Sequence, residues 1–234
     1  MIELHQGNNL ELLPGILDRL AGRPINAIIT DPPYGVAHVS AFAKVDTRNQ
    51  RPIEGDDDPS AAIDSFLAVM DLVVPHLAEQ ADVYVFTSWK VIDLWVEACK
   101  TLSSSGLHYS NVLTWEKGWP GLGDLEANWA FSSEFILYLK KGRRPIRSRR
   151  PSVLAFDKPT PAQQIHPTEK PVDLLMELIQ QSTDPGDLVL DPWAGSASLL
   201  DACRLVDRDA IGIELDAEFA RRAHERLSQQ TLSF

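Results

Sequence analysis

Short apolar runs alternate with longer amphipathic stretches along this 234-residue chain, and this alternation limits the fold more than any other feature. The runs are rich in Val, Ile and Leu, as strands buried on both faces of a parallel sheet usually are. The stretches between them carry apolar residues at helical spacing. The sequence therefore predicts an α/β fold, with a mostly parallel sheet and helices on both of its faces.

Seven apolar runs are predicted to be strands. They are Ile2–His5, Ala27–Thr30, Val83–Thr87, Asn111–Trp115, Phe135–Lys140, Leu188–Asp191 and Ala210–Glu214. Ser60 is predicted to cap one helix, Pro171 to lie in the first turn of another, and Asp216 to cap the last. The leucines from Leu10 to Leu20 also have helical spacing, which Pro14 and Gly15 interrupt.

The length and the 44% hydrophobic content predict a single domain over residues 1–234. Its variable loops are expected at residues 117–129 and 143–167, where segments this long are usually functional. We expect no membrane span, no signal peptide and no metal site, because the patterns for each are missing. Two isolated cysteines, Cys99 and Cys203, agree with a reducing cytoplasm.

A net charge of −11 argues against a general binder of polyanions, but the basic residues are unevenly distributed. Residues 140–150 hold seven of the 22 lysines and arginines and no acid. If the chain binds nucleic acid, this basic segment is the expected contact, although a solvated surface loop is an equal alternative. The residues concerned are Lys140, Lys141, Arg143, Arg144, Arg147, Arg149 and Arg150.

The tetrapeptide Asp31–Pro32–Pro33–Tyr34 follows a predicted strand, so it should lie at the carboxyl end of the sheet, where open α/β folds bind ligands. An exocyclic amine of a nucleobase is a poor nucleophile, because its lone pair is delocalised into the ring. The carboxylate of Asp31 and the carbonyl of Pro32 can each accept one amine hydrogen and stabilise the charge that develops on the nitrogen. The two prolines fix the backbone direction, and Tyr34 offers a ring on which an extruded base can stack.

A second motif follows the strand Leu188–Asp191. It is a tight turn of small residues that opens a helix pattern, and it comprises Asp191, Pro192, Trp193, Ala194, Gly195 and Ser196. Small residues let a ligand approach the backbone there. Glu214, 23 residues after Asp191, ends the next predicted strand, where an acid commonly binds ribose hydroxyls. Because the turn lacks the glycine pattern of pyrophosphate sites, it suits an adenosine without phosphates.

The motifs follow one another along the chain as the tetrapeptide, the basic segment, the sequence His166–Pro171 and the small-residue turn. This order resembles that of the β-type DNA amino-methyltransferases, in which the catalytic motif precedes the cofactor motif. The resemblance covers nearly the whole chain. It implies a seven-stranded Rossmann-like sheet with permuted motif order, S-adenosylmethionine as the cofactor, double-stranded DNA as the partner, and homodimers in many relatives.

The resemblance also assigns residues. Asp31, Pro32, Pro33 and Tyr34 would form the catalytic site, and Asn8, Asp31, Thr168, Lys170, Glu214 and the small-residue turn would hold the cofactor. Thr168 and Lys170 are expected at the carboxylate of its methionine part. Asn8 stands where relatives usually carry an acid.

Adenine N6 is the expected target, because relatives with Asp at the first motif position mostly act on adenine. Methylation of cytosine N4, methylation of RNA or of a protein amide, and an inactive DNA-binding homologue remain as alternatives. Both a restriction-modification enzyme and a solitary phage enzyme fit the size of the chain. Every version requires the turn at Gly195 and the tetrapeptide at Asp31 to lie at the same edge of the sheet.

Overall fold

The computed structural model describes residues 1–36, 56–118, 126–158 and 169–229. Its strands are β1 (Ile2–Gln6), β2 (Ile25–Thr30), β3 (Leu77–Thr87), β4 (Leu107–Glu116), β5 (Ser133–Lys141), β6 (Val153–Ala155), β7 (Leu188–Asp191) and β8 (Asp209–Glu214). Its α-helices are α1 (Asn9–Arg19), α2 (Pro59–Val73), α3 (Ile92–Thr101), α4 (Val172–Ser182), α5 (Ser198–Leu205) and α6 (Ala217–Gln229).

The eight described strands form one sheet in the order β1-β8-β7-β2-β3-β5-β4-β6. Neighbouring strands from β1 through β3 are parallel, whereas β5 is antiparallel to both β3 and β4. The predicted α/β class is confirmed, and β4 and β5 add an antiparallel pair to the parallel part of the sheet. The sheet has one strand more than expected, because β6 pairs with the end of β4 inside a segment predicted to be a loop.

Helices cover both faces of the sheet. On one face, Phe66 of α2 and Trp95 of α3 are fully buried in a core that also includes α1. On the other face, α4, α5 and α6 form a second core. Strand β2 supplies both cores in alternation, since Ile28 belongs to the first and Ile29 to the second.

Two helix starts test the capping predictions. The prediction for Ser60 was wrong: the Asp58 carboxylate caps α2 and accepts a hydrogen bond from the Ser60 backbone at 2.8 Å. Asp216 caps α6 as predicted, through bonds from the Glu218 and Phe219 backbones. Helix α1 continues through Pro14, because burial of its apolar face outweighs the lost backbone bond.

The parallel strands β1, β8, β7, β2 and β3 end at one edge of the sheet, which we call the carboxyl edge. Asp191 and Glu214 are the last residues of β7 and β8, and Asp31 directly follows β2. Because β5 runs the other way, its last residues pair with the first half of β3, where Lys140 lies opposite Asp82. The basic segment therefore begins at the opposite, amino edge of the sheet.

Candidate active site

A cavity of about 720 Å³ opens at the carboxyl edge. The structure brings together in its lining nearly all the residues predicted for catalysis and cofactor binding: Asn8, Asp31, Pro32, Pro33, Tyr34, Lys170, Asp191, Pro192, Trp193, Ala194, Gly195, Ser196 and Glu214. Thr168 lies outside the described residues. The tetrapeptide at Asp31 and the turn after Asp191 are directly connected, because the hydroxyl of Thr30, the residue before Asp31, donates to the Asp191 carboxylate at 2.8 Å.

Asp31 stands at one end of a line of alternating charges. Its carboxylate accepts a hydrogen bond from the Tyr34 hydroxyl and lies 2.6 Å from the Lys170 ammonium. That ammonium lies 3.2 Å from the Glu134 carboxylate, which is in turn paired with Lys117. Lys117 and Lys170 are both buried. We call Asp31, Lys170, Glu134 and Lys117 the charged network.

Burial and neighbouring charges together set the pKa values of the residues in the charged network. Burial raises the pKa of Asp31, and the ammonium of Lys170 opposes that rise. Burial also favours the protonated form of Glu134, but the charges of Lys170 and Lys117 outweigh it and lower the pKa of Glu134 to about 2. Burial lowers the pKa of Lys117 to about 8, against the attraction of Glu134.

The backbone after the tetrapeptide is held by a buried acid. One oxygen of Asp56 accepts hydrogen bonds from the backbone amides of Tyr34, Gly35 and Val36, at 2.9, 2.9 and 3.3 Å. The Trp95 indole donates to the Tyr34 carbonyl at 3.3 Å. These bonds fix the position of the Tyr34 backbone, while its ring remains in the cavity wall.

The other end of the cavity is acidic and exposes backbone. Asp191 accepts from Thr30 and from the Trp193 backbone amide, and burial raises the pKa of Asp191 to about 7. One oxygen of Glu214 accepts from the Gly195 amide at 2.7 Å, and burial raises the pKa of Glu214. Gly195 has a φ of +52°, and no atom lies within 4 Å of where a Cβ would stand, so a ligand can approach the main chain.

Two predicted cofactor residues have structural partners. Asn8 caps α1, with its side chain accepting from the Leu10 amide at 2.9 Å. Its neighbour Asn9, which was not predicted, donates to the Pro192 carbonyl at 3.2 Å and ties α1 to the small-residue turn. Lys170 lies beside Asp31, while the preceding Glu169 pairs with Arg226 of α6 at 2.6 Å. A contact of Asn8 or Lys170 with cofactor stays a prediction.

The basic segment does not reach the cavity lining. Arg144 and Arg147 pair with Asp184, which precedes β7 at the amino edge, and Arg150 pairs with Glu177 of α4 at 2.9 Å. Lys141 donates to the carbonyls of Val74 and Leu77. Lys140 donates to the carbonyl of Arg144, and Arg143 and Arg149 are exposed. The segment thus lies away from the cavity, and the prediction that it contacts DNA stays a prediction.

Sequence reasoning missed Asp56 as a site residue. The family resemblance did place Lys117 and Glu134 in segments that flank the target-base pocket of relatives, but it gave neither residue a role. Glu134 is the second residue of β5, which starts at the carboxyl edge, so strand direction was the available signal. Asp56 belongs to an acidic run just before α2, where it resembled a solvated loop. Only the fold shows that it faces the Tyr34 backbone.

Two absences apply to the described parts of the chain. No group of three or more His, Cys, Asp or Glu residues there is placed to hold a metal ion. None of the described helices has the length and hydropathy that a bilayer crossing needs.

Comparison with known proteins agrees with this geometry. The DNA methylase family model, which covers N6 and N4 amino-methyltransferases, matches residues 25–225. The chain is 33% identical to type II methyltransferase M2.MboI of Moraxella bovis over 54% of each chain. It is 29% identical to the putative methylase YubD of Escherichia coli over 91% of this chain and 86% of that protein.

Among solved structures, the complex of M1.HpyAVI with SAM superposes with a TM-score of 0.72 at 22% identity, over 97% of this chain and 100% of that one. This similarity supports the Rossmann-like methyltransferase fold. The family uses S-adenosylmethionine, and the acidic, backbone-exposing end of the cavity suits that cationic adenosine compound. The chain therefore belongs to the family of S-adenosylmethionine-dependent DNA methylases that modify N6 or N4 amino groups.

Proposed function

We propose that this protein methylates the N6 amino group of adenine in DNA, on a base turned out of the duplex into the cavity. The observation that carries the proposal is the joining of the two motifs by the bond from Thr30 to Asp191 at 2.8 Å. It sets the acceptor carboxylate of Asp31 beside the small-residue turn. Adenine is preferred to cytosine N4 because the motif begins with Asp31.

The chain's residues divide the cavity into two halves. Asp191, Glu214 and the backbone around Gly195 would hold the cofactor, since they form the acidic half of the lining. When bound, S-adenosylmethionine supplies an electrophilic methyl group on a sulfonium. Asp31, Pro32 and Tyr34 would hold the base in the other half, with the ring of Tyr34 against the base plane.

Asp31 has to be ionised to act on the amine. As a carboxylate it accepts an amine hydrogen, concentrates the lone pair on nitrogen and stabilises the positive charge that appears there. As the bond from nitrogen to methyl forms and the bond from methyl to sulfur breaks, the nitrogen must lose a proton, which the Asp31 carboxylate can accept as a general base. Lys170 favours the ionised form, because its ammonium lies 2.6 Å from the carboxylate.

Tyr34 and Lys170 occupy Asp31 in this structure, one on each carboxylate oxygen. Each oxygen can accept a second hydrogen bond, so an incoming amine can bind beside these donors or take the place of one of them. We propose that the Tyr34 hydroxyl yields, because its ring has to turn to stack on the base. Lys170 stays, since it is buried and also paired with Glu134.

The test is transfer of labelled methyl from S-adenosylmethionine to duplex DNA by the Asp31→Asn variant. Transfer should fall by at least about 100-fold, because the charge that stabilises the transition state is gone. Binding of S-adenosylmethionine should stay close to that of the unaltered chain. Asp93→Asn, on the exposed face of α3, is the matched control and should leave transfer unchanged. Full activity in Asp31→Asn would refute the assigned role.

A further inference from the structure

Among the described residues, Trp89, Phe131 and Trp129 carry exposed aromatic side chains in segments next to the carboxyl edge, and the reaction proposed above gives them no role. Trp89 and Phe131 are 47% and 39% exposed, and their rings stack with centroids 5.1 Å apart. Trp129, close to Phe131 in the chain, is 94% exposed. A cluster of exposed aromatic rings indicates a binding surface, whereas scattered apolar residues do not. We call these three residues the aromatic ledge.

The aromatic ledge lies beside the mouth of the cavity. Trp89 is three residues after Phe86, and Phe131 is three residues before Glu134; Phe86 and Glu134 both line the cavity. Three residues of extended chain span at most about 11 Å. Phe86 and Glu134 lie on neighbouring strands, since Thr87 of β3 pairs with Phe135 of β5. The aromatic ledge is therefore close enough to the cavity for bases next to the target base to reach it.

The electrostatics of the chain favour stacking over phosphate contact at this surface. The net charge is −11, and Arg144, Arg147 and Arg150 of the basic segment form ion pairs with Asp184 and Glu177 away from the cavity. Affinity for DNA at the cavity mouth then gains from a source that does not depend on positive charge. Stacking of bases on aromatic rings is such a source, and it accepts any base, because every base has a flat face.

We propose that the aromatic ledge is a stacking surface for the DNA bases left unpaired or unstacked when the target base leaves the duplex. The inference rests on the proposed function, which requires that extrusion, and it names the surface that stabilises the opened duplex. The stacked pair of Trp89 and Phe131 gives a rigid platform. Trp129, two residues before Phe131 and 94% exposed, leaves its ring accessible to a further base.

The test compares affinities for two labelled duplexes in the presence of S-adenosylhomocysteine, which prevents turnover. One duplex is fully paired, and the other has an adenine opposite an abasic position. Trp89→Ala and Phe131→Ala should each weaken binding of the second duplex by about tenfold, within the fivefold to 150-fold that loss of one stacked base implies. Trp89→Phe should restore most of the affinity.

The control is Leu205→Ala, an equally exposed apolar residue at the end of α5 (53% exposed), which should bind both duplexes like the unaltered chain. The salt dependence of the dissociation constant should not change in the ledge variants, because no phosphate contact is removed. Unchanged affinity in both alanine variants would overturn the proposal. So would a dimer that Trp89→Ala dissociates without loss of DNA affinity, since the surface would then join two copies of this chain.

Methyl transfer by the unaltered chain, measured on the same samples, separates the two ideas. If the unaltered chain transfers methyl and the alanine variants keep full affinity for DNA, only the proposal for the aromatic ledge is refuted. Lack of transfer to any DNA removes the proposed function, whatever the affinities are.

Discussion

Replacing Lys170 with methionine removes the cation that two half-buried carboxylates of the charged network, Asp31 and Glu134, share. At separations of 2.6 Å from Asp31 and 3.2 Å from Glu134, and an effective dielectric constant of about 20, the two attractions amount to about 6 and about 5 kcal/mol. Desolvation of the three charges offsets much of this. The expected net loss of unfolding free energy is about 3–5 kcal/mol, the usual cost of removing one partner from a buried ion pair.

The pH dependence of methyl transfer should change in a defined direction. Burial already raises the pKa of Asp31, and Glu134 adds to that rise, while Lys170 and the Tyr34 hydroxyl oppose it. Without Lys170 the pKa rises further, so Asp31 takes up its proton at a higher pH. Transfer needs the carboxylate. As the pH is lowered, the variant should therefore lose activity at a higher pH than the unaltered enzyme does, and raising the pH should restore its activity.

The assay is the rate of methyl transfer as a function of pH, with urea unfolding as the parallel measure of stability. Lys170→Arg keeps the positive charge and should keep a profile close to that of the unaltered chain. Lys100→Met removes an exposed partner of Glu97 and should leave the profile unchanged. An acid limb at the same pH in Lys170→Met and in the unaltered chain would refute the role assigned to Lys170, even if the variant were less stable.

Three further predictions concern other parts of the fold. Because the pKa of Asp191 is raised to about 7, the charge that attracts a sulfonium forms as the pH rises through that value; calorimetry should show tighter binding of S-adenosylmethionine above it, and Asp191→Asn should remove this dependence. Asp56→Ala leaves three backbone amides without their acceptor and should lower the unfolding free energy by about 3 kcal/mol or more, with a larger loss in kcat than in cofactor affinity; an equal loss of both would argue against a local effect on Tyr34. Ala21→Gly should raise the unfolding free energy by about 1 kcal/mol without changing transfer, because Ala21 is exposed with a φ of +50°; lower stability in urea would contradict this.

The sequence predicted most of the sheet, because its central strands are continuous apolar runs. The strand β7 was predicted to the residue, whereas β3 extends six residues before its predicted start. The extension, Leu77–Asp82, is mostly small or polar, and it is a strand because β2 and β5 pair with parts of it. Such pairing between distant segments leaves little local signal.

The site was predicted as a set of motifs but not as a network of contacts. The motifs placed Asp31 and Asp191 at the same edge, since both follow parallel strands. The partner of Lys170 depends on how the start of α4 packs across the sheet, which periodicity does not report. The direction of the basic segment was readable in principle, since an antiparallel β5 carries Lys140 and Lys141 away from the cavity.

The most direct measurement is mass spectrometry of the nucleosides in DNA from bacteria that lack their own adenine methylation and express this chain. We predict N6-methyladenine with the unaltered chain and none with Asp31→Ala. Equal amounts of modified base in the two strains, or N4-methylcytosine as the sole product, would contradict the account.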